Sequence, residues 1–349
     1  MNHSDFLTAP GWAVINSLWQ FALLWAIYQL IIAFRPGISA ATRSAIASGM
    51  VIAGFAWFVF TFISFFKENI AEAVPYLYGP AGWNHWIADA LPATSVIYLL
   101  LLTIPLFRFI RNYRYVQIIR TTALHKADVQ LRLYVQKLSA QMGIGKKVEL
   151  WVSDLVNSPV TIGYLRPVIL LPVAAINHLS TQQVEAIILH ELAHIRRFDY
   201  LLNLVTKFIQ SVLYFNPFVK AFVRIIETER EKSCDEMVMQ FQYDAHGYAS
   251  ALLTIEQINS VKHQVLTVAA SGTRKHQLLG RIENILGINR NKGITAMRVA
   301  GIMLALSCMA IMHIVLQWKK PAVIGTDNYL SPTSLHLICS ITIVEIHRQ

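Results

Sequence analysis

The stretch Ser180-Thr-Gln-Gln-Val-Glu-Ala-Ile-Ile-Leu-His-Glu-Leu-Ala-His-Ile-Arg-Arg-Phe-Asp199 sets the reading of the whole chain. Ser180 is followed three residues later by Gln183, the pair of a capping box. The serine hydroxyl accepts a backbone N–H of the first turn, and the glutamine reaches back to the N-cap. A helix is therefore expected from Ser180 to about Phe198. Within it His190 and His194 are four residues apart. At about 3.6 residues per turn their side chains project within about 40° of each other, so both imidazoles reach one cation. Glu191 stands beside the first histidine. H-E-x-x-H on a helix is the arrangement in which two histidines hold zinc and the glutamate takes a proton from the attacking water. One helical turn thus supplies two Zn2+ ligands, His190 and His194, and a catalytic base, Glu191.

A catalytic zinc site needs a third protein ligand and an open position. The run Glu227-Thr-Glu-Arg-Glu-Lys-Ser-Cys-Asp235 follows His194, and Glu231 is its best candidate. Glu231 and Asp235 are i,i+4 and face one way. Asp235 then serves as acceptor for a ligand imidazole N–H, fixing its tautomer. Spacing leaves Glu227 and Glu229 as competitors, and it also allows the run to be a solvated face of paired charges. Asp199 either orients a ligand or ends the helix. Cys234 is read as a small buried residue and not as a ligand.

Outside this core the chain is greasy. Of 349 residues 55% are apolar and only 14% charged, too little charge for a soluble surface of this size. Three apolar stretches, about 12–34, 44–66 and 87–107, are long enough to span a bilayer, and a fourth covers 299–317. The net charge of +10 is explained by where it sits. The loop after the first span holds Arg35 and Arg43. Residues 108–147, after the third span, hold nine Lys/Arg against the single acid Asp128. By the positive-inside rule the N-terminus and residues 318–349 lie outside, and 108–298 form a cytoplasmic domain. No nucleic-acid motif accompanies the basic residues, so direct nucleic-acid binding is not expected. The expected location is the inner (plasma) membrane, multi-pass, with the lipid bilayer as one partner.

The cytoplasmic part reads as α+β. Residues 108–140 suggest a basic helical stretch leaving the membrane. Val148 to Ser153, Ser158 to Gly163 and Pro167 to Pro172 suggest a small sheet. Tyr200 to Ile226 is apolar enough to span, but it holds Asn203, Lys207, Gln210, Asn216-Pro217 and Lys220. It is read as two helices broken near Pro217, packed in the domain or resting on the membrane surface. Further helices are expected over about Val219–Gln242 and Tyr248–Val261.

These residues resemble a known family, the membrane zinc metallopeptidases of bacterial β-lactam sensor-transducers, antirepressors of penicillinase and methicillin-resistance systems. The resemblance rests on Ser158-Pro-Val-Thr-Ile-Gly163, Arg166-Pro-Val-Ile-Leu-Leu-Pro172 and His190-Glu-Leu-Ala-His-Ile-Arg-Arg-Phe-Asp199. It continues through Phe215-Asn-Pro217 and Glu231-Lys-Ser-Cys-Asp-Glu236. It implies three spans before a cytoplasmic gluzincin-like zinc metallopeptidase domain, with Glu231 as third ligand. It also implies proteolysis, including self-cleavage, that relieves a cytoplasmic transcriptional repressor. Residues 318–349 are expected to be a short extracytoplasmic tail without a penicillin-binding-type domain: either a truncated or divergent sensor, or a tail beside a separate partner that supplies one. Two other functions fit the residues: a quality-control membrane protease, and a non-catalytic transducer with a structural zinc. Intact Glu191 argues against the second, since a structural site needs no base. The β-rich run at 158–172 is either an ordinary core hairpin or an edge that accepts an extended peptide by strand addition.

Overall fold

The computed structural model describes residues 3–35, 37–67, 84–241, 243–263 and 271–288, with 303, 306 and 307 as isolated positions. The fourth span expected at 299–317 and the tail at 318–349 lie outside the described residues.

Three long helices open the chain: α1 (His3–Phe34), α2 (Ala40–Lys67) and α3 (Asn84–Ile119). Their segments Ala13–Phe34, Ala40–Ser64 and Pro92–Ile119 are long and apolar enough to cross a membrane. The first two pack closely. A Cβ on Gly54 would meet the Phe21 ring at 2.7 Å, so glycine is what lets α2 approach α1. Gln20 Nε2 donates to Thr61 Oγ1 at 2.9 Å across the same interface. By contrast α3 leaves much of its apolar surface open, with Leu100 65% and Phe107 66% exposed. Side chains of this kind at this length suit lipid.

The third helix runs past the apolar stretch and, as the basic helical reading of the following residues suggests, carries Arg108, Arg111 and Arg114 on one continuous helix to Ile119. The basic stretch is then broken by strand β1 (Leu124–Lys126) before helix α4 (Val129–Gln141). Strands β2 (Glu149–Ser153), β3 (Val160–Ile162) and β4 (Val168–Pro172) complete a four-stranded sheet in the order β1-β2-β4-β3. β2 and β4 are parallel, the outer pairs antiparallel. β4 is the apolar run Val-Ile-Leu-Leu-Pro and is buried at every position, as a central strand with both faces covered must be. β3 is an edge. The turn from β3 to β4 needs Gly163, whose φ of +92° favours glycine and where a Cβ would meet the Arg166 carbonyl at 2.9 Å.

A short helix α5 (Val173–His178) leads into α6 (Thr181–Arg196), the helix of the opening stretch. Its capping box is present as the sequence requires: Ser180 accepts from the Gln183 N–H and Gln183 accepts from the Ser180 N–H. Ile188, Leu189, Leu192 and Ala193 are fully buried, which presses α6 into a core shared with Leu150, Ile169 and Leu171 of the sheet. Phe198 then adopts a left-handed conformation (φ 58°, ψ 30°), reversing the chain into α7 (Asp199–Val212). α8 (Pro217–Gln240), α9 (Ala245–His263) and α10 (Ser271–Ile285) follow.

The break near Pro217 is where the sequence puts it, but the pair α7 and α8 packs elsewhere. Ile209, Leu213, Phe218, Val219, Phe222 and Ile226 form one core with Phe21, Trp25, Tyr28 and Val51 of α1 and α2. They are not packed within the domain's own sheet-based core. At the turn Asn216 caps α8, accepting from the Phe218 and Val219 N–H groups, and donates to the Ser17 carbonyl of α1 at 3.0 Å. The Tyr98 hydroxyl of α3 donates to the Val212 carbonyl at 3.0 Å. Of the polar residues that argue against lipid, Asn216 is satisfied by α1, and Lys207 by Glu227 of α8 and by Gln210.

Candidate metal centre

Two helices and one strand build the centre. α6 presents His190, Glu191 and His194 on adjacent faces, and α8 crosses it with Glu231. His190 Nε2 and His194 Nε2 are 3.2 Å apart. Glu231 Oε2 lies 3.5 Å from His190 Nε2, and its Oε1 lies 3.7 Å from His194 Nε2. Donors about 2.1 Å from one tetrahedral zinc stand roughly 3.4 Å apart. The three distances bracket that value, so the donor set fits zinc by type and by spacing. The other two glutamates of the run turn away. Glu227 Oε1 takes Lys207 Nζ at 2.6 Å, and Glu229 Oε1 takes Lys232 Nζ at 2.9 Å.

Each histidine has its second nitrogen engaged. His194 Nδ1 lies 2.7 Å from Asp199 Oδ2. The left-handed turn at Phe198 makes this possible by folding the start of α7 back against the end of α6. His190 Nδ1 lies 2.9 Å from the Tyr248 hydroxyl of α9, which is itself 2.7 Å from Asp235 Oδ1. Each proton has an acceptor if His190 Nδ1–H donates to the hydroxyl and the hydroxyl donates to the carboxylate. A cation held beside Glu231 would then replace the Nε2 proton and meet an Nε2 lone pair from each imidazole. Arg281 of α10 closes the network. Its Nε and Nη2 fork onto Asp235 at 2.9 and 2.8 Å, and its Nη1 lies 3.1 Å from Glu231 Oε2. A bidentate guanidinium is suited to fixing two carboxylates at once.

The electrostatics follow from this packing. Burial works against charge on His190, but its hydrogen bonds to the Asp235 and Glu231 carboxylates outweigh it and raise its pKa to about 9. Burial alone would lift Asp235; hydrogen bonds from His190 and Arg281 hold it at about 2 instead. Glu231 is held below the usual carboxylate range for similar reasons, burial being overcome by His190, His194 and Arg281.

Cys234 is fully buried on the far side of His194, its Sγ 3.5 Å from Nδ1 and 3.9 Å from Asp199 Oδ2. By residue type His194, Asp199 and Cys234 form a second possible metal group. Burial, then the nearby Asp199 charge, pushes the Cys234 thiol up, which opposes the thiolate a metal requires. The His194 Nδ1 to Asp199 distance is that of a hydrogen bond. We therefore read Cys234 as packing.

Glu191 is held by the edge strand. Thr161 Oγ1 of β3 donates to Glu191 Oε2 at 2.7 Å. Val160, Thr161, His190, Glu191, His194 and Glu231 all line a cleft of about 800 Å³. Thr161 lies inside one of the quoted motifs, but its link to Glu191 is not visible there. Tyr248 and Arg281 carry no motif at all, and sequence reading misses both.

The sequence profile of the BlaR1 peptidase M56 family matches residues 14–285 of this chain. The methicillin resistance mecR1 protein of Staphylococcus aureus (strain Mu50) is 25% identical over 207 residues, which is 57% of this chain and 35% of that protein. The regulatory protein BlaR1 of Bacillus licheniformis is 39% identical over 95 residues, 27% of this chain and 16% of that protein. The regulatory protein BlaR1 of Staphylococcus aureus is 22% identical over 205 residues, 57% of this chain and 34% of that protein. At most this chain spans about a third of the length of these curated relatives. The profile takes in the first long helix from residue 14, the second and third long helices, both helices of the metal centre and Arg281, and so the chain belongs to the BlaR1 peptidase M56 family.

Proposed function

We propose that the chain is a membrane-embedded zinc endopeptidase with its peptidase domain in the cytoplasm, acting as a regulatory protease on itself or on a cytoplasmic repressor. The observation that carries the reading is the triangle of His190, His194 and Glu231 donors, spaced for zinc, with Glu191 beside it in an open cleft. The orientation is supported by the nine Lys/Arg residues that follow the third long helix. The regulatory role is supported by what the relatives' names describe, methicillin resistance and regulation. The trigger in this reading is an envelope signal.

His190, His194 and Glu231 would hold the metal, which when bound supplies a Lewis acid for the scissile carbonyl and acidifies an attacking water. Glu191, fixed by Thr161, accepts the proton of that water and delivers it to the leaving amide nitrogen. Asp199 holds His194 in the tautomer with Nε2 facing the cleft. Tyr248 and Asp235 do the same for His190. Arg281 keeps Glu231 and Asp235 ionised and in place. The outer edge of β3, which borders the cleft, accepts an extended peptide by strand addition next to Glu191.

Glu191→Gln tests the reading. The change keeps the size of the side chain and its hydrogen bond from Thr161 but removes the base. In membranes carrying the full chain, cleavage of the chain itself and of a co-expressed repressor should fall by at least about 100-fold. Unchanged cleavage would refute the peptidase assignment.

A further inference from the structure

A second cavity runs beside the metal cleft and has no part in the chemistry above. It encloses about 480 Å³ between α3, α7 and the start of α8. The α7 wall is a single stripe: Tyr200, Asn203, Lys207 and Gln210 recur every three or four residues, while Ile209 and Leu213 on the opposite face are fully buried. From α3 come Arg108, Asn112 and Tyr113 on the polar side, with Pro105 and Phe109 on the apolar side. Lys220 of α8 completes the wall.

The charges do not cancel. Lys207 is matched by Glu227 at 2.6 Å. Arg108 and Lys220 are exposed, and neither has an acidic partner among the described residues. The cavity therefore carries two uncompensated cations, ringed by hydroxyl and amide groups, against an apolar flank. Its position matters as much. Arg108 is the first basic residue after the lipid-suited surface of α3, where Leu100 and Phe107 are about two-thirds exposed. The cavity thus opens at the boundary between the membrane and the peptidase domain. Basic pockets between membrane helices on the cytoplasmic side are suited to anionic headgroups, and an apolar flank suits the acyl chains below them.

We propose that this cavity binds the phosphate headgroup of an anionic phospholipid from the leaflet facing the peptidase domain, through Arg108 and Lys220. The inference rests on the membrane placement of α3 and not on the peptidase chemistry. Tyr200 and Asn203 line both cavities, so a seated headgroup shares a wall with the metal cleft. A free phosphate offers the same charge without the chains, and the experiment separates the two.

The full chain, purified in a neutral detergent, is melted alone and with phosphatidylglycerol, phosphatidylcholine or inorganic phosphate. The same series is run on R108Q/K220Q and on the charge-keeping pair R108K/K220R. Phosphatidylglycerol should raise the Tm of the wild type and of R108K/K220R by several degrees. R108Q/K220Q should melt like the wild type in detergent alone and lose most of that rise. An equal rise in R108Q/K220Q, or an equal rise with phosphatidylcholine, overturns the proposal. Inorganic phosphate reproducing the whole rise assigns the cavity to a free anion and also overturns it. If R108Q/K220Q melts lower in detergent alone, native mass spectrometry of the folded fraction decides. Fewer phosphatidylglycerol molecules retained per chain than in the wild type upholds the site, and an equal number rejects it.

Discussion

The two halves of α8 are held by different forces. From Pro217 to Ile226 the helix is packed by shape. Phe218 lies 6.1 Å from Trp25 and Phe222 lies 5.7 Å from Tyr28, ring centre to ring centre, and no charged group takes part. From Glu231 to Asp235 the same helix is held by charge. Glu231 and Asp235 meet His190, Tyr248 and Arg281 through hydrogen bonds and ion pairs, with Asp235, His190 and Tyr248 buried and Glu231 and Arg281 partly so. Between them Glu227 and Glu229 pair with lysines at the margin. The difference teaches where each half is vulnerable. Packing is lost when volume is lost, whereas a charged network fails when one partner is removed, even at constant volume. It also shows why only one of three glutamates meets the histidines: Glu227 shares the face of Glu231 but lies one helical turn short, and Glu229, two residues away, projects to roughly the opposite side.

Single changes should separate these two modes. Phe222→Ala should have the largest effect on stability, about 3 kcal/mol or more, because Phe222 is fully buried between α1 and α2. Denaturant unfolding in detergent reads the loss, and the folded fraction should still bind zinc. If zinc binding fails along with packing, the two halves are not separable. Asp235→Asn comes next and acts on the other half. It should weaken zinc binding by about 10–100-fold, as removal of outer acceptors typically does, measured by competition with a chelator. Asn216→Ala removes the cap of α8 and the bond to the Ser17 carbonyl, for a loss of about 1 kcal/mol with zinc affinity unchanged. The smallest effect belongs to Glu227→Gln. The Lys207 pair it breaks is partly exposed, so stability should change by less than about 0.5 kcal/mol and zinc occupancy should stay the same. Loss of zinc in Glu227→Gln would shift the third donor away from Glu231.

Much of this was legible in the chain itself, for a physical reason. Capping, the i,i+4 histidines and the long apolar runs are local regularities, and local regularities survive into the structure. Ser180 and Gln183 close the box that their spacing predicts, and Glu231, the favoured member of its run, is the one that meets the histidines. What was not legible depends on distant parts of the fold. Arg281 reaches Asp235 across 46 residues of sequence, from a helix that no motif announces. Tyr248 meets His190 across 58 residues. The placement of α7 and α8 among the long helices was misread because Asn203, Lys207, Gln210 and Asn216 look costly in lipid. The structure collects the first three on one stripe facing a cavity and satisfies Asn216 with the Ser17 carbonyl. A residue list counts polar groups but does not say on which side of a helix their partners will be.

The most direct test of the central claim is the zinc content per chain of the purified protein. The wild type and Glu191→Gln should each hold one zinc, because Glu191 is proposed as a base and not as a ligand. Glu231→Ala and His194→Ala should hold close to none after brief dialysis against a weak chelator. Full zinc occupancy in Glu231→Ala would contradict the account, as would its loss in Glu191→Gln.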